Sequence, residues 1–256
     1  MANAYIAVGG SATALEKIEI LIRERPVLKD PILICGLPDS GLVARLAVQR
    51  LLEATKATLM AEVYSAYFPP GTIIEGDGTA RLVRNEIYYA WLGQAGRHLL
   101  IYTGDMQPLD PPGAYELADR VLETAKSLGV REAIILAAFI RGREVAQPRV
   151  YGAATDAALA QEYQAHGVAI SDEGYITWMH GLLLGLSKLK GMRAICLSSE
   201  TPGDRPDPNA ASALLKVLER ALGVSLGLEA GVGGTPPSPE EGGPPPEEGL
   251  RDRYIR

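Results

Sequence analysis

Two hydrophobic periods alternate along the chain. Continuous apolar runs stand at Ile32–Cys35, His98–Thr103, Glu132–Phe139 and Arg193–Leu197, bounded by turn residues such as Asp30-Pro31 and Gly104. Short unbroken runs of this kind predict strands buried on both faces. Between them the period changes. Apolar residues at 42, 43, 46, 47 and 51 predict a helix over Leu42–Glu53. Pro111-Pro112 open a second helix that runs through Leu128 and is closed by Gly129. Helices are also predicted over Ala153–Tyr163, over Asn209–Leu222 (amphipathic), and over Ile176–Leu189. The last is apolar nearly all round, which predicts a buried helix. Ala57–Phe68 predicts a strand ending at Pro69-Pro70-Gly71, and Val168–Ile170 a short one. Thr72–Glu75 and Arg81–Trp91 predict a hairpin around Gly76-Asp77-Gly78. Strands alternating with helices imply one three-layer α/β domain over residues 1–225, a mostly parallel sheet flanked by helices, with the hairpin as an antiparallel addition.

Residues 226–256 are of another kind. From Gly227 to Gly249, 13 of 23 residues are Gly or Pro and five are Glu. Such a stretch cannot bury enough apolar surface to offset its ordering entropy, so a disordered tether is expected. It ends in Leu250-Arg251-Asp252-Arg253-Tyr254-Ile255-Arg256. Leu250, Tyr254, Ile255 and Arg256 are the candidate partner-docking residues of this tip, because Tyr and aliphatic anchors on a flexible chain can add a second contact to a partner.

Composition narrows the function. With 47% hydrophobic residues the chain of 256 residues can bury a core without staples. A net charge of −6, from 25 basic and 31 acidic residues, argues against nucleic acid as partner. No apolar run approaches the roughly 18 residues of a membrane span, and no secretory signal opens the chain, so a cytoplasmic protein without membrane association is expected. Cys35 and Cys196 each lie in an apolar run and read as buried reduced thiols.

Candidate chemistry sits at the predicted strand ends. Gly36-Leu37-Pro38-Asp39-Ser40-Gly41 joins a strand to a helix, where backbone N–H groups can hold an anion. Leu42 and Val43 follow where a phosphate-binding loop needs Lys and Ser or Thr, and Asp39 or Ser40 can equally cap the helix. Gly104–Pro108, Arg141–Glu144 and Ser198–Asp204 also follow strands. Ligands of open parallel sheets bind beyond such ends, so Gly36, Asp39, Gly41, Asp105 and Glu200 form a candidate ligand or partner rim. His98, His166 and His180 are scattered, and His180, in the apolar helix, reads as a satisfied core histidine. Neither a metal-ligand spacing nor a G-x-S-x-G nucleophile is present, so no catalytic residue, metal or cofactor is assigned.

Taken in order, several segments resemble the proteasome assembly chaperone family in its archaeal and bacterial branch. They are Ile32–Val43, Phe68-Pro69-Pro70, Tyr102–Pro108, Pro148–Thr155, Gly181–Gly185 and Glu200-Thr201-Pro202. The chain departs from the family at Tyr175–Trp178, where members often carry glycine. The resemblance implies a three-layer fold similar to nucleoside phosphorylases and a homo-oligomer, a trimer or a higher ring. It also implies a non-enzymatic, ATP-independent assembly chaperone whose clients are subunits of a protein complex such as the proteasome. Some members dock on the proteasome α-ring through a terminal hydrophobic-Tyr-any sequence; here Tyr254 stands third from the end. The other function class is a phosphorylase- or hydrolase-like enzyme, or a small-ligand sensor, using the strand-end rim.

Overall fold

Residues 17–227 are described by a computed structural model. In chain order, β1 (Ile18–Ile22) precedes β2 (Ile32–Cys35), and a turn leads into α1 (Val43–Thr55). Then come β3 (Thr58–Ser65), the hairpin β4 (Thr72–Ile74) and β5 (Ala80–Leu82), β6 (Asn85–Leu92), β7 (Arg97–Gly104) and α2 (Pro111–Ser127). The chain continues through β8 (Glu132–Ile140), β9 (Val150–Ala154), α3 (Ala157–Ala165) and β10 (Ala169–Ile170). It closes with α4 (Trp178–Leu189), β11 (Arg193–Thr201) and α5 (Pro208–Leu222).

Among the described residues nine strands form one sheet, in the order β1-β3-β6-β7-β2-β8-β11-β9-β10. The centre, β7-β2-β8-β11, is parallel. The β1-β3-β6 wing joins it antiparallel, and β9 runs antiparallel to β11. The parallel sheet expected from sequence is therefore this central part. The β6–β7 link is a tight turn ending at Gly96 (φ 65°), too short for the crossover that parallel neighbours need.

Alternate residues of the central strands serve opposite faces. Ile32, Ile34, Leu99, Ile101, Ile134, Leu136, Ile195 and Leu197 pack under α1, α3 and α5. Leu33, Cys35, Leu100, Tyr102, Ala133, Ile135, Ala194 and Cys196 pack under α2 and α4. This gives the three layers. Helix starts are set by acids. Asp110 accepts from the Gly113 N–H at 3.0 Å, Asp156 from Leu159 at 2.9 Å and Asp207 from Ala210 at 3.0 Å. Prolines occupy the first positions of α2 and α5.

Four expectations change. Val150–Ala154 is strand β9, and the helix read from Ala153 begins at Ala157, behind its Asp156 cap. The hairpin closes as β4 against β5, while β6 is a separate strand between β3 and β7. The strand β1 was not expected. Helix α4 is not buried all round: Met179, His180, Leu183 and Ser187 face inward, but Trp178 is 50% and Leu189 83% exposed. Of the tail, Leu226 and Gly227 are described, while residues 228–256, with the tip, fall outside the described residues.

Candidate functional site

The C-terminal ends of the central strands open into a cavity of about 490 Å³. Its floor is the ends of β8 and β11, and its walls are the turn after β2, β9, and the segment 171–178 that leads into α4. That the cavity lies here follows from topology, since loops diverge beyond the ends of parallel strands where neighbouring connections leave on opposite faces.

Asp39 lies on its wall, part-buried, in the turn between β2 and α1. Its carboxylate accepts from the Ala44 N–H, at 3.2 Å to Oδ1 and 3.3 Å to Oδ2. The amide at the start of α1 thus already has its anion, supplied by the chain itself. Burial pushes the Asp39 carboxyl up to about 7, against the smaller opposing effect of the amides of Ala44, Ala138 and Val43. Gly36 and Gly41 serve packing. A Cβ on Gly36 would land on Val48 Cγ2 and lie 2.8 Å from the Ala44 carbonyl oxygen. Gly41 holds φ 70° and accepts from the Asp207 N–H at 2.9 Å.

Two further polar groups meet Asp39 at this cavity. Gln107 Nε2 donates to the Pro38 carbonyl at 2.7 Å, and its Oε1 accepts from the Met179 N–H at 3.3 Å. It ties the β2 turn to the first turn of α4. His180, on that first turn, is 7% exposed, and its Nε2 has no hydrogen-bond partner. Burial holds its imidazole down to about 4, so it is neutral at pH 7. The expected satisfied core histidine is therefore a buried histidine with an open nitrogen, on the cavity wall. Cys196 also borders the cavity, but burial pushes its thiol up to about 12, which leaves it inert as a nucleophile. Cys35 and Cys196 both pair across Ile135 of the intervening β8 and form no disulfide.

The other two rim carboxylates are engaged elsewhere. Asp105 takes the Arg81 guanidinium, with Nη2 at 3.1 Å, and the Arg84 N–H at 3.0 Å. Burial alone would raise its carboxyl, but Arg81 and the Arg84 amide outweigh it and hold it below the usual range. Arg81 also pairs with Glu75, so Asp105 latches the β4–β5 hairpin to the end of β7. Asp105→Ala is expected to raise amide exchange across Thr72–Leu82 by about tenfold or more, while the melting temperature moves by only a few degrees. Unchanged exchange in the hairpin would show that the latch does not hold it.

Glu200 is buried and accepts from the Arg149 N–H at 3.1 Å, Tyr151 Oη at 3.3 Å and Arg141 Nε at 3.3 Å. Phe139 and Tyr151 stack at 4.9 Å between centroids, with Arg141 5.5 Å from the Phe139 ring centre and Arg149 5.6 Å from that of Tyr151. This cluster fixes the β8, β9 and β11 ends. The cavity thus unites Asp39 with Gln107 and His180, while Glu200 braces the adjoining strand ends and Asp105 holds the β4–β5 hairpin. Among the described residues no three His, Cys, Asp or Glu side chains converge as a metal site would require.

A family model for the PAC2 family matches residues 33–230, nearly the whole sheet with its helices. The chain belongs to the PAC2 family. Pyrococcus furiosus PbaB, an archaeal proteasome activator, is a solved PAC2-like structure that matches it with TM-score 0.78 and 36% identity, over 82% of this chain and 91% of its own. P. furiosus PbaA, an archaeal homologue of proteasome-assembly chaperone, matches with TM-score 0.69 and 29% identity, over 82% and 84%. An uncharacterised protein of Methanocaldococcus jannaschii is 31% identical over 209 residues, 81% of this chain and 80% of its own. The resemblance read from the ordered segments is borne out, and so is the mixed α/β fold of PAC2 proteins. The arginine–tyrosine clamp on Glu200 and the open His180 nitrogen carried no sequence signal, since each depends on contacts between distant segments.

Proposed function

We propose that this PAC2 protein is a non-enzymatic, ATP-independent factor that acts on the proteasome as a homo-oligomer in the cytoplasm. The observation that carries this is the match to PbaB, 36% identical across 82% of the chain, reinforced by PbaA. PbaB is a proteasome activator and PbaA a homologue of an assembly chaperone, so the common target is the proteasome or its unassembled subunits. Two features of the chain support a binding role over catalysis. Asp105 and Glu200 are committed to arginine pairs that shape the rim. At the far end of α4 Leu189 is 83% exposed, an apolar group suited to a protein contact. The body to Ser225 would carry the oligomer, and the tail 226–256 would act as a tether whose tip adds Leu250, Tyr254, Ile255 and Arg256 to the contact.

The test uses the full chain with assembled proteasome core particles and with separate subunits from the same cell, without nucleotide. Association with either, seen by native mass spectrometry, is expected, together with a mass above that of one chain for the free protein. A matching chain ending at Gly249 is expected to bind more weakly. Failure to associate with particles and with subunits alike would overturn the proposal. Undiminished binding by the shortened chain would remove only the role of the tip.

A further inference from the structure

The cavity beyond β2, β8 and β11 has chemistry that proteasome binding does not use. Among its lining residues the ionised or ionisable carboxylates are Asp39, Asp172 and Glu173, and no Lys or Arg lines it. The nearby Arg141 and Arg149 are turned to Glu200 and to the Phe139–Tyr151 pair. At the start of α4 the Met179 N–H donates to Gln107, and the Gly181 N–H makes the first bond of the helix, to the Thr177 carbonyl. An anionic ligand would therefore meet carboxylates with no fixed cation to offset them. Asp39 faces the amides of Ala44, Val43 and Ala138, and its carboxylate borders the cavity as a negative charge with no Lys or Arg beside it. The His180 Nε2, shut away from water and without a partner, is a second polar group left for a ligand. Trp178 holds φ 53°, a left-handed conformation that strains a bulky side chain, and it lies half-exposed at the mouth with Tyr175, 89% exposed, three residues before it. Aromatic faces beside a carboxylate favour a cation with an apolar body.

We infer that this cavity is a binding site for a small organic amine, whose ammonium pairs with Asp39, whose remaining N–H or O–H meets His180 Nε2, and whose apolar body lies against Trp178. A volume of about 490 Å³ is in the range of small-molecule sites. The burial that raises the Asp39 carboxyl is relieved when a cation sits beside it, so the charge of the ligand and that of the site support each other.

Tyramine is the probe, titrated by calorimetry and by tryptophan fluorescence into the full chain at pH 8. Two comparators of similar shape are 4-ethylphenol, which lacks the ammonium, and 4-hydroxyphenylacetate, which replaces it with a carboxylate. Nα-acetyl-lysine methylamide runs beside them, because a lysine side chain of a peptide offers the same ammonium. Tyramine or the lysine derivative is expected to bind at least about tenfold more tightly than the phenol, and the carboxylate least. Whichever of the two amines binds more tightly identifies the source as a free amine or a peptide. Asp39→Asn is expected to erase the preference for amine over phenol, and His180→Phe to weaken the amine several-fold. Equal affinity for amine and phenol, tighter binding of the carboxylate, or no amine binding at millimolar concentration overturns the inference. That comparison on the unaltered protein decides the matter even where a variant fails to fold, and proteasome association is read independently.

Discussion

Gly104→Ala is expected to lower the melting temperature by roughly 6–12 °C, from a loss of about 3 kcal/mol spread over a domain of this size. Gly104 ends β7 directly opposite Asn85 of β6. A Cβ there would land on the Asn85 Cα and side-chain amide. Asn85 cannot yield cheaply, because it is fully buried and its Nδ2 donates to Tyr102 Oη at 2.8 Å beneath the sheet. Relief requires the two strands to part, which breaks ladder hydrogen bonds at the junction of the antiparallel wing and the parallel centre. Gly71→Ala is the control, since a Cβ at that position meets nothing within 4 Å. Thermal unfolding followed by circular dichroism checks both, and a Gly104→Ala protein that melts with the unaltered chain would contradict the packing described.

The second large effect is a pair of opposed pH dependences on one cavity. Burial raises the folded pKa of Asp39 to about 7 from its ordinary 3.8. Between those values the folded state holds a proton that the unfolded state has lost, so this group's contribution to stability falls as pH rises. Burial holds His180 down to about 4 from its ordinary 6.5. Between those values the unfolded state binds the proton and the folded state does not, so its contribution rises with pH. Each slope approaches about 1.4 kcal/mol per pH unit at its steepest, and over pH 4–6.5 they act in opposite directions. Removing one group therefore exposes the other. Asp39→Asn is expected to gain stability as pH rises from 4.5 to 6, and His180→Phe to lose it, relative to the unaltered chain. At pH 8 Asp39→Asn is expected to be the more stable protein by up to about 4 kcal/mol, less where water at the cavity mouth screens the charge. Urea unfolding at several pH values checks this. The charged and titratable neighbours that bear on the window are Cys196 of β11 and Asp172 and Glu173 of the 171–178 segment, which border the same cavity. Parallel curves for the two variants would show that neither group is held away from water.

The central strands were legible because they are covered on both sides. Ile32–Cys35, His98–Thr103, Glu132–Phe139 and Arg193–Leu197 read as unbroken apolar runs, and all four form the parallel centre. Strand β9 escaped because three of the five residues of Val150-Tyr151-Gly152-Ala153-Ala154 are small, and alanines favour the helix that follows. Gly152 is needed there since a Cβ would press on Val168 Cγ1 at 2.7 Å, a contact no local pattern reveals. Strand β1 is an edge strand of five residues whose apolar Leu21 and Ile22 stay exposed, and only its pairing with β3 marks it as part of the sheet. At the site, Asp39 was legible as a strand-end acid next to a helix start; its carboxylate takes the Ala44 N–H, while the N-cap position of α1 itself is Leu42. Asp105 and Glu200 were legible as strand-end acids, but their partners Arg81, Arg141 and Arg149 arrive from segments 24 to 59 residues away in sequence. Helix α4 misled because a nearly all-apolar helix reads as interior, whereas its two end residues, Trp178 and Leu189, are exposed.

The two cores described above have a kinetic and evolutionary corollary. Ile34 and Cys35 are neighbours in sequence yet belong to opposite layers, and the same holds for Ile101 with Tyr102 and for Ile195 with Cys196. Neither layer of helices owns its strands, so neither can melt first and leave the other intact. Partially opened forms with one helical layer detached would expose the apolar underside of the very strands that the remaining layer needs, and such forms are scarce in a cooperative domain. Drift in the sequence is then channelled to the loops beyond the strand ends, where the cavity and the rim lie, while the four central strands change only in step with both helical layers at once.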